Sequence, residues 1–194
     1  MARPRVFESD EALAKAMMVF WQQGYCATSL DDLEATMGLK RQSIYNVFGD
    51  KRSLFLKALR FYREQGVAFV EQQLTQFKSP KASLYNIIHI LAQGALIEGQ
   101  QCGCFMANTA LELSDHDLEI AREVNIMFEQ LEDCFARVIE KGQKQGEISQ
   151  RFESRSLAKF LINSVNGFRI LDKTHPSKAA ITDLVAVTLS VLDS

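Results

Sequence analysis

Two clusters of side chains in this 194-residue sequence have the types and spacing to do chemistry. The first is Lys40-Arg41-Gln42-Ser43-Ile44-Tyr45-Asn46. Gln and Asn can offer a paired donor and acceptor to adenine in a major groove, and Lys, Arg, Ser and Tyr can bind phosphate oxygens. The second is Cys102-Gly103-Cys104-Phe105-Met106, two thiols one residue apart where a helix is expected to begin. A thiol at a helix N-terminus is biased toward thiolate, the form that electrophiles and oxidants attack, and Cys134 on a neighbouring helix could complete a switch pair. The competing reading, small buried packing residues, is the commoner fate of such cysteines.

Other chemistry finds little support. Cys-x-Cys is not zinc-knuckle spacing, and His89, His116 and His175 are scattered among helices, so no metal site is expected. His89 lies in an apolar run and reads as a core or cavity residue, whereas His116 and His175 read as surface turn residues. Cys104 with His89 would make a nucleophile and base, but no third orienting group, Gly-rich phosphate loop or cofactor fingerprint accompanies them. No catalytic residue and no cofactor are expected. A Cys-dependent enzyme is a remote alternative, as is a helical adaptor, which leaves the polar residues 40–46 unexplained.

The composition, 47% apolar and 24% charged with 10 Gly and 3 Pro, is that of a globular protein and excludes collagen-like or linker-dominated chains. The longest uncharged run, Ala82 to Ile97, has sixteen residues including Asn86, His89 and Gln93, and reads as a buried helix rather than a membrane span. Met17 to Trp21 is too short for a signal-peptide core, and four cysteines make no disulfide framework, so a reducing cytoplasm and no membrane partner are expected. The net charge of −2 hides an asymmetry: residues 1–60 carry +2 and the remainder −4. A basic front end on an acidic body hints at a nucleic-acid partner.

Apolar positions recur at three- and four-residue spacing almost throughout, which predicts an all-α fold. Nine helices are predicted: Glu8 to Gln23; a short one capped by Ser29 with Asp32 three residues on; Lys40 to Phe48; Asp50 to about Phe77; Lys81 to Ile97; Phe105 to Leu113; Ser114 or Asp115 to about Gly142; Phe152 to Leu171; and Ser177 to Leu192. Residues 29–48, with Gly38 between two short helices, have the layout of a helix-turn-helix. With Ile44 turned inward, Val47 and Phe48 fall on its side, Gln42 and Asn46 point away, and Ser43 and Tyr45 flank them. A solvated face on an ordinary helical hairpin fits the same spacing.

Residues 7 to 60 resemble the N-terminal domain of the TetR family of transcriptional regulators. The likeness is carried by Ala12 to Phe20, Gly24-Tyr25, Thr28-Ser29, Asp32-Leu33, Met37-Gly38-Leu39, Ser43-Ile44-Tyr45, Phe48-Gly49-Asp50-Lys51 and Leu54-Phe55. It implies a nine-helix architecture with a DNA-binding domain at 1–50 and an effector-binding and dimerisation domain at 51–194. By similarity, Thr28 or Ser29, Arg41, Gln42, Ser43, Tyr45 and Lys51 are expected to touch DNA; the residue types and helix geometry add Lys40 and Asn46, with Arg52 as further positive charge beside Lys51. Two positions depart from the family pattern: Val47 stands where many members have His, and Glu34 where a small residue is common. Arg3-Pro4-Arg5 reads equally as an arm for the minor groove or as a basic disordered tail.

The resemblance further implies a homodimer, a double-stranded operator and a small-molecule effector, most simply as a repressor. Leu157, Phe160, Leu161, Val165, Phe168, Leu184, Val185, Thr188 and Leu189 give the last two helices broad apolar faces suited to the dimer, although burial within one chain competes on sequence alone. His89, Cys104, Phe105, Met106 and Phe128 are the expected effector-binding residues. Gly103-Cys104 with Asn108-Thr109-Ala110-Leu111-Glu112 also resembles a branch of the family in which some members sense reactive species, which makes thiol sensing through Cys104 with Cys102 the alternative input.

Overall fold

Three- and four-residue apolar spacing becomes helix wherever the chain is described. The computed structural model describes residues 3–93 and 102–193, and among them there are nine α-helices and no strand. They are α1 (Arg3–Gln23), α2 (Leu30–Met37), α3 (Arg41–Phe48), α4 (Lys51–Leu74), α5 (Pro80–Gln93), α6 (Phe105–Leu113), α7 (Leu118–Lys144), α8 (Ser154–Asp172) and α9 (Lys178–Ser190).

Several ends differ from expectation for local reasons. Helix α1 begins at Arg3, so Arg3-Pro4-Arg5 is helical rather than an extended arm. Pro is tolerated there because the first helical N–H groups have no intrahelical acceptor. The cap of α7 is Asp117, not Ser114 or Asp115: its Oδ1 accepts from Glu119 N at 3.0 Å and Ile120 N at 3.2 Å. Ser114, His116 and Asp117 instead close α6, their amides donating to Ala110 O and Leu113 O. The stretch expected to extend α5 to Ile97 lies outside the described residues beyond Gln93.

The chain packs as two compact units. The first comprises residues up to Gln65 together with Phe105–Asn125, and the second Gly66–Cys104 together with Ile126 onward. A single cut after residue 50 does not describe this packing. The reason is aromatic: Phe55 and Tyr62 of α4 and Phe105 of α6 join Phe20, Trp21 and Tyr25. Ring centroids lie 5.0 Å apart for Phe20–Phe55, 5.7 Å for Phe55–Phe105 and 5.1 Å for Trp21–Tyr62. Edge-on pairs of this kind add to the burial of each ring.

In the second unit α5 packs against α8 and α9, and α8 packs against α9. Most of the residues expected at the dimer interface take part in this packing within one chain. Leu157, Leu161, Phe168, Val185 and Leu189 are buried in that unit's own core, Val165 packs against it, and Thr188 is buried as well. The inward half of each apolar face meets α5 and the other terminal helix within one chain. Phe160 and Leu184 alone of the expected set are exposed, joined on the outer side of the same helices by Ile170 and Val187.

Candidate nucleic-acid interface

An eight-residue helix cannot hold itself together in water, so α2 and α3 depend on what secures their ends. Ser29 caps α2 in extended backbone geometry. Asp32 N donates to Ser29 Oγ at 3.1 Å and Ser29 N donates to Asp32 Oδ2 at 2.9 Å, a reciprocal capping box. The Ser29 hydroxyl and amide together hold the Asp32 carboxyl below its ordinary range. Gly38, at φ 69°, ends α2 in the left-handed conformation that any side chain would strain, and its amide donates to Glu34 O at 3.1 Å. Leu33 and Met37 of α2 and Ile44 and Phe48 of α3 are buried, which sets the second helix across the first.

Lys40 precedes α3 in extended geometry without a side-chain cap. The missing acceptor comes from the other helix: the Glu34 carboxylate accepts from Arg41 N, and the Arg41 guanidinium pairs with Asp31 and with Glu34, its Nε 3.4 Å from Glu34 Oε2. At the other end Lys57 of α4 donates from Nζ to Phe48 O at 3.1 Å and Val47 O at 3.3 Å, a cation on the carbonyls where the helix dipole is negative.

With both ends held, α3 exposes Arg41, Gln42, Ser43, Tyr45, Asn46 and Val47, with Lys40 just before them. Gln42 Nε2 donates to Asn46 Oδ1 at 3.1 Å, so the two amides stand as an aligned pair one turn apart. Three expected contacts fare differently. Thr28 is buried, its hydroxyl donating to Gly24 O at 2.6 Å, so it ties the preceding turn instead of facing outward. Ser29 is exposed but its hydroxyl is engaged in the capping box. Lys51 is half-buried, its ammonium 4.5 Å from the centre of the Tyr25 ring.

Comparison with known proteins agrees with this geometry. The family model described as "Bacterial regulatory proteins, tetR family" matches residues 12–58, and that described as "Tetracyclin repressor-like, C-terminal domain" matches residues 81–187, more than half of the chain. The chain belongs to the TetR family. It is 33% identical over its whole length to the uncharacterized HTH-type transcriptional regulator YezE of Bacillus subtilis (strain 168), also covered in full. It is 32% identical over 188 residues to the HTH-type transcriptional repressor ComR of Escherichia coli (strain K12), covering 96% of this chain and 90% of that one. Among solved structures, the regulator CifR, a cysteine mutant in complex with operator DNA, superposes with a TM-score of 0.85 at 23% identity, covering 98% of this chain and all of that one. Membership of this family makes the protein a transcriptional regulator rather than an enzyme.

Four residues of this TetR-family regulator that support the interface were not among the expected site residues: Asp31, Glu34, Lys57 and Glu112. Glu112 of α6 accepts from Tyr25 N at 3.0 Å and Cys26 N at 2.7 Å, clamping the turn that leads into α2. Gly24 opens that turn at φ 84°, and a Cβ there would come 2.9 Å from Glu112 Oε2. Beside it runs a chain of charge-assisted bonds. Arg52 donates to Asp117 at 2.7 and 2.9 Å and to Glu119 at 2.9 Å, while Arg60 and Arg63 each meet the buried Glu123 at 2.6 Å. Arg52 is therefore neutralised within the protein and adds no open positive charge.

The expected effector residues are distributed over both units. Phe105 and Met106 are buried in the first, Phe105 within the aromatic cluster. In the second unit, Cys104 is buried and Phe128 packs against the core. His89 is exposed on α5, not enclosed, because Leu84, Ile87, Ile88 and Ala92 occupy the inward side. Cys102 is half-buried. Cys134 is buried with Sγ 3.4 Å from Glu71 Oε1, and burial and then that carboxylate push its thiol up to about 11, away from the reactive thiolate. No three His, Cys, Asp or Glu side chains are grouped to hold a metal ion, and no helix is long and apolar enough to cross a membrane, among the described residues.

The Arg52 guanidinium, with help from the amides of α7, holds the Asp117 carboxyl at about 2 against an ordinary 3.8. A depressed carboxylate stabilises the fold above its unfolded value and loses that stabilisation as pH falls through its folded one. Unfolding free energy should therefore decline between about pH 4 and pH 2, and Asp117→Asn should flatten that limb. Urea titrations across this range check it, and an unchanged acid limb would contradict the role given to the pair.

Proposed function

We propose that the protein is a homodimeric repressor that lays α3 into the major groove of a palindromic operator and releases it when an effector acts on the second unit. The observation that carries this reading is the division of α3 into two sides. Ile44 and Phe48 lock one side inward, and the other presents Arg41, Gln42, Ser43, Tyr45 and Asn46 to solvent. ComR is named as a repressor, and CifR is described with operator DNA, both in line with this reading. The regulator would act in the cytoplasm, where the DNA is.

The amide pair and the Arg41 guanidinium read bases, while Lys40, Tyr45 and Lys51 take phosphates. The test is fluorescence anisotropy of the full-length protein on a labelled duplex from directly upstream of its own coding sequence. Gln42→Ala should weaken that binding roughly 10-fold and leave a base-shuffled duplex unaffected. Wild-type affinity should fall steeply with salt as counterions are released. Affinity that is flat in salt, or a Gln42→Ala loss equal on both duplexes, would sink the contact assignment.

The dimer is assigned to the outer side of α8 and α9. Phe160, Ile170, Leu184 and Val187 are exposed there, and four helices from two chains would cover them. A two-fold axis would then set the recognition helices one DNA turn apart, about 34–36 Å. Leu184→Glu should shift the protein to monomer in sedimentation velocity while its circular dichroism stays helical. A variant that remains dimeric would remove this face from the interface.

The input is either a small molecule or a thiol reaction. The second is favoured by one feature: Cys102 and Cys104 immediately precede α6, the helix whose Glu112 clamps the turn before α2. Mild peroxide should then abolish operator binding in the wild type and spare Cys104→Ser. Indifference to peroxide would leave the small-molecule effector.

A further inference from the structure

The cap of α3 is unusual in its source. The positive end of a recognition helix ordinarily invites a DNA phosphate, because its first amides lack acceptors and the dipole favours an anion. Here the anion is already supplied by the protein. Lys40 contributes no cap, the Glu34 carboxylate accepts from Arg41 N, and the Arg41 guanidinium is drawn back onto Asp31 and Glu34 of α2. Asp31 has 83% of its side chain exposed and stands, through Arg41, beside the face assigned to DNA.

From this arrangement we infer that Asp31 and Glu34 are specificity-determining residues: internal carboxylates that compete with DNA phosphates for Arg41 and for the start of α3. The inference rests on α3 being the recognition helix. Arg41 reaches DNA by exchanging its carboxylate partner for a new one. A phosphate offers little that the carboxylate does not, and it must also approach the negative charge of Asp31. A guanine edge offers two acceptors in the fixed geometry of the guanidinium fork, so a base pair in the correct register compensates for the exchange. Non-specific contact is thereby penalised more than specific contact. Asp31 is the partner that Arg41 gives up, while Glu34 adds a second negative charge beside the guanidinium and also accepts from the first amide of α3.

Anisotropy on the upstream duplex and on a base-shuffled duplex of the same length and composition, at one salt concentration, tests this with the full-length protein. Asp31→Asn should tighten binding to the shuffled duplex by about 10-fold and to the upstream duplex by no more than about 3-fold, so that the ratio falls. Glu34→Gln, which keeps an acceptor for the Arg41 amide, should lower the ratio in the same direction. In an Arg41→Ala background Asp31→Asn should no longer change the ratio. An equal gain on both duplexes would reduce Asp31 to simple charge repulsion and overturn the inference, as would weaker binding to both with a lower melting temperature. A wild-type protein that binds neither duplex would instead sink the DNA-binding reading, and this inference with it.

Discussion

Two helices of eight residues each have to keep a fixed angle to one another, and neither is long enough to exist alone. That constraint organises the first unit. The capping box of Ser29 and Asp32 starts α2, and Gly38 ends it at a positive φ. Glu34 starts α3 from α2, and Lys57 closes it from α4. Leu33, Met37, Ile44 and Phe48 take up the inner sides of both helices. The outer side of α3 is thereby freed from structural duty, and a surface made of Gln42, Ser43, Tyr45 and Asn46 becomes affordable.

The same support extends to the helices that follow in sequence. Phe105 reaches the ring cluster around Phe55, Glu112 holds the amides of Tyr25 and Cys26, and Asp117, Glu119 and Glu123 bind Arg52, Arg60 and Arg63. These bonds explain why the first unit includes α6 and the start of α7. Glu123 is buried and depends on both of its arginines, since an unpaired carboxylate there would be strongly unfavourable.

The helices were readable in the sequence because apolar spacing, Gly38 and the Ser29–Asp32 pair are local signals. The outward set on α3 was readable for the same reason: once Ile44 faces inward, helix geometry dictates the rest. The burial of Thr28 was not legible, because a hydroxyl looks alike whether it faces outward or bonds a carbonyl four residues back. The burial of Leu157, Leu161, Val185 and Leu189 within one chain was not legible, because an apolar stripe does not say whether its partner lies in the same chain or another. Glu112 stood out only as part of a motif and Lys57 not at all, since their bonds join residues far apart or cap a helix from outside it. Glu34 did give one, as a carboxylate where a small residue is common, but its role as an acceptor for Arg41 N needed the packed pair.

The central claim is that the outer side of α3, presented twice by a two-fold dimer, reads one face of a DNA duplex. Hydroxyl-radical footprinting of the full-length protein on the DNA upstream of its own coding sequence tests it most directly. Two protected patches on one face of the helix, centred about 10 base pairs or a multiple of that apart, and lost together in Gln42→Ala, are the predicted result. Uniform protection along the duplex, or protection that survives Gln42→Ala unchanged, would contradict it.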